Sequence, residues 1–104
     1  PLAFNGVLAV IAQGHSTDMS VRSFFDHTNP DGDGPGERID ASTYQWSGWA
    51  ENIAVGPPTP EDVVDGWMNS DDHCSNIMNP AFLEIGIGFA ADGFYWTQVF
   101  GAPR

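Results

Sequence analysis

A chain of 104 residues with 41% hydrophobic and 12% aromatic side chains is one domain, able to build a core and too apolar to stay disordered. Fourteen Asp and Glu stand against three Arg (Arg22, Arg38, Arg104) and no Lys, a formal net charge of -11. Such a surface repels phosphate backbones and anionic lipid, which counts against nucleic-acid binding and reads as a solubilising face suited to salt-screened surroundings.

In chain order, residues Leu2 to Phe25 carry a helical pattern, with Phe4, Leu8, Ile11, His15 and Met19 three or four apart on one face. Gly14 weakens this helix by ~1 kcal/mol relative to Ala, so a break is allowed there. Asn29 to Gly36 is dense in Gly, Pro and Asp and reads as loop. The wider stretch "HTNPDGDGPGERID" (27 to 40) has a calcium-loop look, but an EF-hand needs a second helix directly after Asp40, and Ala41 to Trp46 gives no sign of one. Weak surface calcium binding is the most this stretch supports. "WAENIAV" (49 to 55) is read as extended. Thr59 as cap, Pro60 at the first helical position, and Glu61 and Asp62 at the positive end open a helix that reaches Asn69. A second, from Asp71 to Met78, has Ser70 as cap and Asn79-Pro80 as stop. "FLEIGIGFA" and "YWTQVFG" alternate with period two around the Ala91-Asp92-Gly93 turn and form a terminal hairpin.

Cys74 is the single cysteine, so no intrachain disulfide forms, and a buried small hydrophobe is its expected role. No apolar run is long enough to span a membrane, and no signal peptide stands at the start. Opening on Pro1 rather than Met is what a processed or trimmed piece shows.

Three His in so acidic a chain suggest a metal, but His15, His27 and His73 lack the i, i+4 spacing of a local zinc motif. His15, among apolar neighbours, reads as a hydrogen-bonded core or cleft histidine. Glu51 lies between Trp49-Ala50 and Asn52-Ile53, where an unpaired charge is costly, so it needs a partner: a structural hydrogen bond, or a role as ligand or general base. Neither Ser16 nor Ser70 has a nucleophile-elbow setting, and no phosphate-cradling glycine loop is present.

The segments "AQGHSTDM", "FFDHTNPDG", "AENIAVG", "VVDGWMNSDDHCSNIMNPAFLEIGIGFA" and "YWTQVFG" together resemble the bacterial branch of the CAP superfamily, also called SCP domains, over nearly the whole chain. The resemblance implies an α+β fold, a three-layer α-β-α sandwich with a central antiparallel sheet, formed by residues 1–104 as a single domain. It implies too that a helical stretch usual in the family ahead of "PL" is lacking here. Family members line a cleft with two His and two acidic residues, and in several the His bind a divalent ion such as zinc. His27 matches the first of these His and Glu51 the acidic residue of the Gly-Glu-Asn motif. Ser70 and Tyr95 replace a second Glu and a second His of eukaryotic members, and His73 takes the place of a His that bacterial members carry. The implied set is His27, Glu51 and His73, with Asp72, Tyr95 and Ser70 at the cleft edge and His15 as a further lining residue. The resemblance points to a secreted, monomeric, non-enzymatic module for a small ligand or extracellular partner, with zinc as the expected ion. A metal-dependent hydrolase using Glu51 as base and a lipid or sterol carrier are the alternatives.

Overall fold

The computed structural model describes residues 2–104 as eight elements: β1 (Ala3–Phe4), α1 (Gly6–Arg22), α2 (Pro35–Asp40), β2 (Trp46–Val55), α3 (Pro60–Met68), α4 (Asp71–Met78), β3 (Glu84–Ala90) and β4 (Tyr95–Pro103). The sheet runs β1-β3-β4-β2. The α+β sandwich is the fold observed, with one correction: β1 pairs with β3 in parallel, so the central sheet is not wholly antiparallel.

That correction comes from the start of the first helix. Asn5 caps it, its side-chain oxygen accepting from the N–H groups of Val7 at 2.9 Å and Leu8 at 3.1 Å, so the helix starts at Gly6 rather than Leu2. Ala3 and Phe4 are left to pair with β3, and Phe4 is exposed instead of lying on the buried stripe. Gly14 does not break the helix. It ends at Arg22 because Ser23 turns left-handed, with a φ of 56°.

Helix α1 buries Leu8, Ala12, His15, Ser16 and Met19 against β3 and β4. Its backbone rests directly on the sheet, since a Cβ at Gly86 would lie 2.1 Å from the carbonyl carbon of Leu8, and one at Gly88 2.4 Å from that of Ala12. Only glycine permits that approach. The polar residues of this layer are matched in pairs: Ser16 Oγ and Thr97 Oγ1 are 2.7 Å apart, and the Tyr44 hydroxyl donates to Glu84 at 2.8 Å.

Helix α2 corrects the reading of the acidic stretch, which is loop only as far as Gly34. Pro35 pre-sets φ at the first helical position, and Glu37 Oε1 accepts from the Gly34 N–H at 2.8 Å, half of a capping box. The preceding loop closes on itself. Asn29 Oδ1 accepts from the N–H groups of Asp31 and Asp33, both at 3.0 Å, and the Asp31 carboxylate pairs with Arg22 at 3.0 Å. Two of the groups that give the stretch its calcium-loop look, the Asn29 side-chain oxygen and the Asp31 carboxylate, are thus spent on internal bonds.

The opposite face carries α3 and α4. Thr59 caps α3 as expected, accepting from Asp62 N–H at 3.2 Å, and α4 spans the anticipated residues. Val63 and Trp67 of α3 pack on Trp96, with Ala54, Ile77 and Phe89 around them. Strand β2 starts at Trp46, earlier than expected, with an irregularity between Trp46 and Gly48. It is also an edge strand. Along its outer margin the two helical layers meet, and the candidate site lies there.

Candidate functional site

On β2, Glu51 pairs with Val99, and so it points toward the α1 and α2 layer, while Asn52 pairs with Gln98 and points toward α3 and α4. Each residue organises one wall of a cleft. Two carboxylate hydrogen bonds define the first wall. His27 Nδ1 lies 2.7 Å from Glu51 Oε1, and Arg38 Nη2 donates to Glu51 Oε2 at 2.8 Å. A carboxylate oxygen accepts, so the His27 Nδ1–H is the donor and Nε2 is the imidazole's free position. The Glu51 side chain is 1% exposed and that of His27 49% exposed, so the carboxylate sits behind the ring. Arg38 also donates through Nη1 to the backbone oxygens of His27 at 2.9 Å and Asp33 at 3.1 Å, fastening the loop to α2.

The second wall rests on Asn52, which is fully buried. Its amide donates to the backbone oxygen of His73 at 3.1 Å and to Gln98 Oε1 at 3.1 Å, and its own oxygen accepts from Asn76 at 2.8 Å. This fixes α4 against the sheet. Ser70 is the N-cap residue of α4, yet its hydroxyl makes no cap bond and lies 2.9 Å from His73 Nδ1 instead. Both cleft histidines are therefore held through Nδ1, which leaves both Nε2 atoms without a partner among the described residues.

His27 and His73 face a common cavity of about 310 Å³ with Phe25, Asp26 and Ile53. Phe25, Ile53 and His73 also line an adjoining groove of about 300 Å³ that continues past Val63, Trp67 and Ser70. The result is one continuous groove, polar at the His27 end and apolar toward Trp67. The Trp67 indole N–H donates to the backbone oxygen of Ile53 at 3.1 Å, so this wall is fixed as well.

The other expected site residues are placed differently. His15 is buried on α1, outside the cleft lining, its Nε2–H donating to the Asp26 backbone oxygen at 2.8 Å and its ring edge-on to Phe24. Its Nδ1 is buried without a partner among the described residues. Asp72 is exposed on α4 and does not line the cavity. Tyr95 opens β4 opposite Val55 and Ala90, packed beside Gly93, away from the imidazoles. Ser70 does line the groove. Among the described residues no three His, Cys, Asp or Glu are arranged to hold a metal ion: Glu51 has both oxygens engaged, so it stands behind His27 rather than beside it as a ligand.

Environment separates His27 from His15. The hydrogen bond to Glu51 raises the His27 pKa above the ordinary value, against a smaller opposing effect of desolvation. Burial lowers that of His15, only partly offset by the Glu51 charge. Arg38 and the two groove residues Phe25 and Trp67 are site residues that the sequence does not single out. For Arg38 a signal exists: it is one of three cations in the chain and follows the Pro35, Glu37 helix start.

Residues 1–100 match the CAP, or cysteine-rich secretory protein, family. The chain belongs to this family. The CAP domain is 40% identical over 100 residues to the uncharacterized protein YkwD of Bacillus subtilis (strain 168), covering 96% of this chain and 39% of YkwD. It is 30% identical over 92 residues to the uncharacterized membrane protein YlbC of the same organism, covering 88% of this chain and 26% of that one. The domain thus spans well under half the length of either relative. Among solved structures, an extracellular protein containing an SCP domain from Bacillus anthracis superimposes with a TM-score of 0.90 at 31% identity, over 96% of this chain and 33% of that one. An outer surface protein from Borrelia burgdorferi gives 0.89 at 22% identity, over 99% and 78%, a likeness of fold. No helix among the described residues is long and apolar enough to cross a membrane.

Proposed function

We propose that this CAP domain is a secreted, non-catalytic ligand-binding module whose seat is the groove from His27 past His73 to Trp67, with a divalent ion, zinc foremost, held at its polar end. The observation that carries this reading is that two histidines lining one cavity are both anchored through Nδ1, which leaves Nε2 of each without a hydrogen-bond partner among the described residues. A carboxylate behind a histidine is the usual arrangement that orients a metal-binding imidazole, and Glu51 stands in that place. Two nitrogen ligands, with the Glu51 carboxylate committed to His27 and Arg38, make a weak site with open positions, suited to modulation by a ligand rather than to structural zinc. Secretion is supported by the extracellular Bacillus anthracis relative.

The hydrolase alternative asks Glu51 to take a proton from water. Its two oxygens are committed to His27 and Arg38, and its side chain is almost wholly buried, so the geometry favours binding over catalysis. The apolar stretch of the groove, with Phe25, Val63 and Trp67, supports a hydrophobic portion in the ligand, and lipid extraction from purified protein tests the lipid reading.

Calorimetric titration with zinc chloride is expected to give a weak, single-site heat. It is lost in His27→Ala and in His73→Ala, and retained in His15→Gln. Wild-type heat unchanged in both cleft variants would remove the groove as the metal site.

A further inference from the structure

Arg38 touches every part of the first wall. Its guanidinium takes Glu51 Oε2 at 2.8 Å and holds the backbone oxygens of His27 and Asp33, and its side chain is only 13% exposed. The partner carboxylate is 1% exposed, so little water screens the pair. A cation at His27 Nε2 would feel this in two ways. One oxygen of Glu51 is withdrawn from the site. A fixed positive charge also stands one carboxylate away and cancels most of the negative potential that Glu51 would place behind the ring.

Resting on the zinc reading above, we infer that Arg38 limits the metal affinity of this site: it is a positioning residue that neutralises Glu51 and so keeps the imidazole pair a weak, exchangeable seat. Arg38 thus does two opposed things. It builds the wall, through the two backbone carbonyls, and it detunes the wall toward cations, through the carboxylate. A residue with only the first role lowers affinity when removed, because the wall loosens. With the second role included, removal raises it.

The test is zinc titration by calorimetry, with thermal unfolding in the same buffer, on wild type, Arg38→Met, Arg38→Lys and the double variant Arg38→Met, Glu51→Gln. Arg38→Met is expected to bind zinc about tenfold tighter, the scale on which groups behind a metal-bound histidine act, and to gain more in melting temperature from zinc than wild type does. Arg38→Lys, which keeps the charge, stays near wild type, and the double variant loses the gain. If Arg38→Met is too unstable to titrate without metal, refolding in the presence of zinc reads the same effect, because a bound ion then supplies the charge that Glu51 lacks. Zinc binding in Arg38→Met equal to or weaker than wild type overturns the inference while leaving the two-histidine site standing. Zinc binding in neither protein removes both.

Discussion

Gly86→Ala is expected to destabilise the domain by about 3 kcal/mol or more, a large part of the stability of a domain this size. The added methyl would meet the main chain of α1 at Leu8, 2.1 Å away, and the obstacle is backbone, so no side-chain rotation relieves it. Relief requires lifting α1 from β3, and with it the packing of Leu8 and Ala12 on Val99. Gly14→Ala, in the same helix with open space around the new Cβ, is expected to change stability in the opposite direction, by up to ~1 kcal/mol. Urea unfolding of the two variants separates the cases. A Gly86→Ala midpoint within experimental error of wild type would mean that α1 does not rest on the strand as described.

Asn52→Ala is the second large effect, and it links the core to the groove. Asn52 is buried, with its amide shared between His73 and Gln98 and its oxygen taken by Asn76. Removing it leaves several buried polar groups without partners and should lower stability by roughly 2 to 3 kcal/mol. Because the lost bond to the His73 backbone is what holds the second wall, zinc binding should weaken as well, by more than the unfolded fraction accounts for. A variant that loses stability and keeps full zinc affinity would show that His73 is positioned by α4 alone.

Much of this architecture is legible in the sequence. The Thr59-Pro60 start and the hairpin around Ala91-Asp92-Gly93 follow from local capping and turn chemistry, which neighbouring residues decide among themselves. The α4 boundaries are also as read, although Ser70 turns its hydroxyl to His73 instead of capping. The first helix reads too long in sequence because Phe4 fits the apolar period, while the tertiary pairing of Ala3 and Phe4 with β3 and the Asn5 cap decide otherwise. Helix α2 is hidden because Gly and Pro density outweighs the Pro35 and Glu37 signals, and Arg38 is hidden with it. In the site, the resemblance to the family leads to His27, Glu51 and His73, and the structure sets all three along one margin of β2. The order of contact is not legible in sequence. That Glu51 lies behind His27 and is shared with Arg38 depends on a loop, a helix and a strand converging from positions 27, 38 and 51. Asp72 illustrates the limit from the other side: one position from His73, it points to solvent.

Two imidazoles that line one cavity and are each held through Nδ1 are the centre of the proposed site. Long-range proton–nitrogen spectra of the histidine rings during a zinc titration test this directly. The Nε2 signals of His27 and His73 should move together and saturate at the same zinc concentration, while His15 stays unchanged. Responses from His27 and His73 that saturate separately, or a response confined to His15, would contradict it.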